Sequence, residues 1–268
     1  MDAALPAAGL GVLIGLILAF TGAGGGVLAI PLLVFGLHLP VQQAGPVGLF
    51  AVGIAAAVGA AVGLRQGVVR YRAATLIGVA GMLTAPLGVM LAQWLPGRPL
   101  TAAFAAVLAY SAWRMWRQPA APAADAPAAN CQLDPTQGRL RWTRGCAQAL
   151  AGTGMLSGLL SGLLGVGGGF VIVPALTRHT NLNLRMIQAT SLAVIAWVSV
   201  SGISAATLQG SMRWDVALPF GAGAIVAMLA GQRVAGKLPA ARLRQGFAAV
   251  SALVAMLMLA KALGWGLI

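Results

Sequence analysis

From Ala3 to Leu64 the chain carries no formally charged side chain, a run of 62 residues. About 20 apolar helical residues cross a hydrocarbon core near 30 Å thick. This run therefore holds more than one membrane element. The break His38-Leu39-Pro40 divides it into a first element near Gly9 to Gly36 and a second near Val41 to Leu64.

Composition supports the same reading. Charged residues make up 8% of the chain and hydrophobic residues 59%, whereas soluble domains carry roughly 25% charged residues. A mean hydropathy of +0.89 excludes a disordered chain. Seventeen Lys and Arg stand against four acids, Asp2, Asp125, Asp134 and Asp215, giving a net charge of +13. Paired-carboxylate enzyme chemistry has no material to work with. A nucleic-acid binder would gather its bases on one wetted face. Here they form short clusters between apolar runs, as in the inward loops of membrane proteins, so the expected partner is the lipid bilayer and no nucleic acid. Cys131 and Cys146 suggest no disulfide framework. Asp2 and the lack of early Lys or Arg do not fit the positive start of a secretory signal.

Further elements are expected at about Ala73–Leu95 and Leu100–Trp116, then Gly145–Thr177, Met186–Leu208, Val216–Gln232 and Gln245 onward. Between them, Gln118 to Gln137 is rich in Ala and Pro and reads as a solvated linker. The organisation is thus a first membrane repeat over 1–117, a cytoplasmic linker over 118–144 and a second repeat over 145–268. The repeat is legible directly. A shift of 143 carries Gly22, Gly24, Gly25, Gly26 and Pro31 onto Gly165, Gly167, Gly168, Gly169 and Pro174. The same shift carries Gln66-Gly67 onto Gln209-Gly210 and Arg70 onto Arg213. Between 32 and 64 the offset is less certain, and Gln43-Ala44 matches Gln188-Ala189 better at 145.

The first element of each repeat is broken. Each glycine costs roughly 1 kcal/mol against alanine inside a helix, and Pro31 and Pro174 remove a donor. Two half-helices meeting at the glycines fit better than one smooth span. The uncharged run Gly145–Thr177 is 33 residues, or about 50 Å as one helix, so it suits a re-entrant hairpin or a long tilted helix. Charge separates these. A full crossing splits the basic residues ten to seven, whereas a hairpin returning to its own side splits them 14 to 3. The positive-inside rule favours the hairpin. Each repeat then crosses three times and the two repeats are inverted, with termini outward and the linker in the cytoplasm. The fallback is eight ordinary spans in two parallel fours.

Irregular backbone in a bilayer survives only where it lines a cavity or is buried in protein. The glycine breaks are therefore the candidate sites. Half-helices starting after Gly24-Gly25-Gly26 and Gly167-Gly168-Gly169 present free N–H groups and a positive dipole end, which suit an anion. Thr21, Gln43, Gln188, Thr190 and Ser191 can add donors, although hydrogen bonding between helices explains them as well. Ser157, Ser161, Ser199, Ser201 and Ser204 read as packing residues. Arg178 and Arg185 flank a short loop and can attract an anion to the inner mouth, or simply set topology. No expected span holds a central Asp, Glu or Lys, so a carboxylate proton relay has no residue to use. No metal-ligand spacing, P-loop or nucleophile–base pair occurs, so no cofactor and no enzyme activity is expected.

The duplicated Gly-x-Gly-Gly-Gly-x4-Pro in about 260 hydrophobic residues, split by a polar linker, resembles the sulfite exporter TauE/SafE family of bacterial membrane proteins. The resemblance runs from about Gly9 to Leu263, with its glycine motif on Gly22–Pro31 and Gly165–Pro174. It implies export of a small sulfur anion, such as sulfite or sulfoacetate, across the bacterial cytoplasmic membrane. A homo-oligomer is left open. The alternatives are a non-transporting membrane scaffold or accessory subunit, and a transporter of an uncharged solute.

Overall fold

The computed structural model describes residues 4–22, 25–117, 131, 133–134, 139–140, 143–235 and 240–262. Among them the chain is nearly all helical. The first repeat region holds α1 (Ala4–Thr21), a 3₁₀ turn (Gly25–Leu28), α2 (Ala29–Gly36), α3 (Val41–Arg65), α4 (Tyr71–Trp94) and α5 (Gly97–Arg117). The second holds α6 (Arg144–Leu164), α7 (Gly169–His179), α8 (Leu184–Leu208), α9 (Trp214–Ala235) and α10 (Ala240–Ala262). Six of these, α1, α3, α4, α6, α8 and α9, are long and apolar enough to cross a membrane. The remaining long helices, α5 and α10, pack chiefly on each other, and the apolar part of α10 is Ala248–Ala262.

Shifted by 143, α3 falls on α8 end to end, and α2 falls on the last eight residues of α7. The register therefore stays at 143 through the region where Gln43 matched Gln188 better at 145. The residue standing opposite Gln188 is Gly45. The chain bends at the glycines, while Pro31 and Pro174, which the sequence marks as part of the breaks by their missing donors, both ride inside the returning helices α2 and α7. Pro31 is the third residue of α2, where a helix has no N–H bond to lose.

Three helix pairs build the core. α3 and α8 run antiparallel: Gly53 packs on Ser199, Gly59 on Leu192 and Gly63 on Ala189. α1 runs parallel to α9, with Gly11 against the Phe220 backbone and Gly15 against Ala224. α6 runs parallel to α4, with Gly154, Gly158 and Gly162 against Ile77, Gly81 and Ala85. Missing side chains let these backbones approach closely, which is how helices bind where lipid removes the hydrophobic drive.

The cysteines contradict the sequence reading. Cys131 and Cys146 form a disulfide, with Cα atoms 5.1 Å apart. The cause is the return of the linker to the base of α6. Cys131 donates its N–H to His179 O at 3.0 Å and bridges Thr180, while Cys146 lies in the first turn of α6. The linker also holds a two-residue ladder that pairs Leu133 with Leu140.

Gly158→Leu should drive a side chain into the α4 backbone and cost about 3 kcal/mol. Gly152→Leu, on the same helix with nothing within 4 Å, should be close to neutral. Melting of the purified protein followed by circular dichroism checks the pair.

Candidate functional site

The second break is built from left-handed backbone. α6 closes on Gly165 (φ 66°), whose N–H donates to Ser161 O at 2.7 Å. Gly167 (φ 75°) and Gly168 (φ 68°) follow, and Gly168 caps α7. An L-residue in this region costs roughly 1–2 kcal/mol, so this turn selects glycine. Gly165 also lies directly on the Gly45 backbone of α3. α7 then turns back along α6. Ser157 Oγ donates to Gly168 O at 3.2 Å, and Cys131 holds His179 near the start of α6.

The first break has the same outline and different hydrogen bonding. Gly22 (φ 74°) donates its N–H to Leu18 O at 2.8 Å and faces the Gln188 side chain. Gln188 Nε2 donates to Thr21 O at 3.3 Å. Thr21 Oγ1 accepts the Gly25 N–H at 3.0 Å and donates to Ile17 O at 2.8 Å. Gly25 lies beside Leu18 and Gly36 beside Leu10, so α2 runs back along α1.

The two breaks meet. Gly26 packs on the Val166 carbonyl, and both Gly26 and Gly167 pack on Val52. Gly167 also touches Ile195, the residue opposite Val52 at the offset of 143. All of Gly165 to Gly169 is buried. Beside Gly165 a cavity of about 20 Å³ is lined by Gln42, Gly45, Gln93 and Ser211 among others. That is room for about one water.

Of the expected site residues, the structure gathers Thr21, Gly22 and Gln188 in one cluster. Gly25 and Gly26 meet Val166, and Gly165, Gly167, Gly168 and Gly169 form the facing turn. Gly24 lies outside the described residues. Gln43 sits in the first turn of α3, and Gly45 holds the place opposite Gln188. Thr190 turns to another neighbour and accepts the Arg70 N–H at 3.1 Å. Ser191 is bonded to Ile187 O of its own helix at 2.8 Å. Arg178 is in the last turn of α7 and Arg185 in the first turn of α8, where its Nη2 donates to Gln66 Oε1 at 3.1 Å.

Two residues read as packing stand out. Ser161 Oγ and Ser199 Oγ are buried and have no hydrogen-bond partner. A signal for them existed in the repeat. At the offset of 143, Ser161 stands opposite Leu18 and Ser199 opposite Ala56. Each is a hydroxyl where the other repeat is apolar.

Two glycine-broken hairpins thus meet inside a helical bundle with six helices long and apolar enough to cross a membrane, the architecture of a polytopic membrane protein. The sulfite exporter TauE/SafE family model matches residues 7–258, and the chain belongs to that family. It is 29% identical over 237 residues to a "Probable membrane transporter protein" of Xylella fastidiosa (strain Temecula1 / ATCC 700964), covering 87% of this chain and 85% of that one. A protein of the same name from strain 9a5c is 29% identical over 220 residues, 81% of this chain and 79% of that one. The "Probable membrane transporter protein MamO" of Paramagnetospirillum magneticum (strain ATCC 700264 / AMB-1) is 34% identical over 114 residues, 40% of this chain and 18% of that protein. No solved structure matches the chain.

Gly165→Ala should destabilise the protein by more than Gly67→Ala. Both glycines have positive φ, but only Gly165 also lies against another backbone. The expected difference is about 2 kcal/mol, read from paired thermal melts.

Proposed function

We propose that this membrane transporter moves a small anion, an organosulfur or sulfur oxyanion such as sulfite or sulfoacetate, out of the cell. The observation that carries the reading is the meeting of the two glycine breaks, Gly26 against Val166 and both Gly26 and Gly167 against Val52. Backbone dipoles converge there, and the helices around them hold no acid at their centres. The four acids lie at positions 2, 125, 134 and 215, and Asp215 is paired with Arg213 at 2.6 Å near the start of α9. The family description, a sulfite exporter, favours a sulfur anion.

The antiparallel pairing of α3 with α8, which coincide at the offset of 143, supports inverted repeats. Both hairpins return to the side they leave. With the bases sorted accordingly, the linker side holds 14 of the 17 Lys and Arg. By the positive-inside rule this split supports a cytoplasmic linker, and the bacterial relatives support an inner-membrane location. The Cys131–Cys146 bond argues the other way, because the cytoplasm keeps thiols reduced. We favour the charge count, since it sums many residues and the bond is one pair.

Purified protein in liposomes should carry sulfite or sulfoacetate. Gly167→Leu, which fills the contact with Val52 and Ile195, should lower flux at least ten-fold. Gly9→Leu, with nothing within 4 Å, should not. Absence of flux with every anion, in protein that melts normally, would favour the scaffold reading. Transport of uncharged solutes alone would favour the third. For topology, His38→Cys and Asn181→Cys in a background lacking Cys131 and Cys146 should react with an impermeant maleimide from opposite sides, position 38 from outside. Labelling of both from one side removes the inverted arrangement.

A further inference from the structure

The two breaks are equivalent in sequence and unequal in hydrogen bonding. In the first, the Thr21 hydroxyl occupies the Gly25 N–H. The residue opposite Thr21 is Leu164, which has no oxygen in its side chain, so Gly168, opposite Gly25, receives no such cap. Among the described residues, the N–H groups of Val166, Gly167, Gly168 and Gly169 donate to no protein acceptor. All four residues are buried. Orphaned buried amides are rare in folded proteins, and here four stand in succession.

Two hydroxyls join them. Ser161 is 0% exposed and lies one helical turn after Ser157, on the face of α6 whose Ser157 Oγ reaches Gly168 O. Its Oγ has no partner. Ser199 is 1% exposed, equally without a partner, and lies one turn beyond Ile195, the residue packed on Gly167. Its own face meets Gly53, next to Val52. Donors without acceptors therefore lie on α6 and α8, the two helices packed against the second break, and in the glycine turn itself. The first repeat places Leu18 and Ala56 at the matching positions.

We propose that the anion is held by the second break alone, by Ser161, Ser199 and the amides of residues 166–169, while the first break, where Thr21 caps Gly25 and Leu18 and Ala56 replace the two serines, is its structural counterpart. This rests on the anion reading above and sharpens it. The site offers neutral donors only. Among the described residues, every Lys and Arg lies outside the helices or within about five residues of a helix end. The Born cost of an ion in a low-dielectric interior grows with the square of its charge, and no cation is near enough to offset it. The site accordingly takes a singly charged oxyanion, such as hydrogensulfite or a monosulfonate, in preference to a dianion such as sulfate or sulfoacetate, which narrows the cargo named above.

The test is equilibrium binding to the full chain in nanodiscs, with methanesulfonate and sulfate as probes. Wild type should bind methanesulfonate at least ten-fold more tightly than sulfate. Ser161→Ala and Ser199→Ala should each weaken methanesulfonate about ten-fold or more, and Ser161→Cys, a weaker donor of similar shape, should fall between. Leu164→Thr gives the second break the cap that Thr21 gives the first, and should also weaken binding. Ser251→Ala, another buried hydroxyl without a partner but in α10, should change nothing. Undiminished affinity in a folded Ser161→Ala, Ser199→Ala double variant overturns the proposal, as does tighter binding of sulfate. Failure of wild type to bind any anion instead removes the transport reading on which it stands.

Discussion

A peptide group inside a bilayer has no water to bond with, so any stretch that leaves the helical ladder must be enclosed by protein. Two glycine turns in the middle of this chain impose that condition twice. The rest of the bundle answers it. α9 presses along α1, α4 presses along α6, and α3 crosses α8 between them. These contacts are largely backbone against backbone, which is why so many of the residues at the crossings are glycine or alanine. Stability and the possibility of a site thus share one origin, because the packing that shields the turns also brings them together.

Much of this was legible beforehand. Runs without charge marked most helices to within a few residues, and the offset that carries Gly22–Pro31 onto Gly165–Pro174 also carries the bounds of α3 onto those of α8. The hairpins were legible through cost, since adjacent glycines are poor in a continuous helix, and through the side on which Arg178 and Arg185 had to fall. The site was less legible. Gln43 was chosen because glutamine recurs near Gln188, but helix register follows backbone length, and it put Gly45 in that place. Thr190 and Ser191 were polar and near the break in sequence, yet a helix turns 100° per residue, which aims them at Arg70 and at their own carbonyls. Ser161 and Ser199 looked like packing because a lone serine in a membrane helix usually is. Their meaning depends on what the opposite repeat lacks. The disulfide was invisible because the path of a linker back to its own helix is not written in cysteine spacing.

Chemically, the centre of the molecule is defined by what it omits. Among the described residues, the helix centres carry no acid, Lys or Arg and no cluster of metal-ligating side chains. Hydroxyls and amides remain, which bind without reacting.

Thr21 facing Leu164 has one more consequence. An inverted pair of like hairpins can in principle exchange shapes, each adopting the other's posture, so that the mirror state exists at no structural invention. Identical repeats would make the two postures equal in energy. Here the exchange would strip the Gly25 amide of its hydroxyl and set Leu164 where a cap is wanted. A single side chain would therefore set the two postures apart in energy.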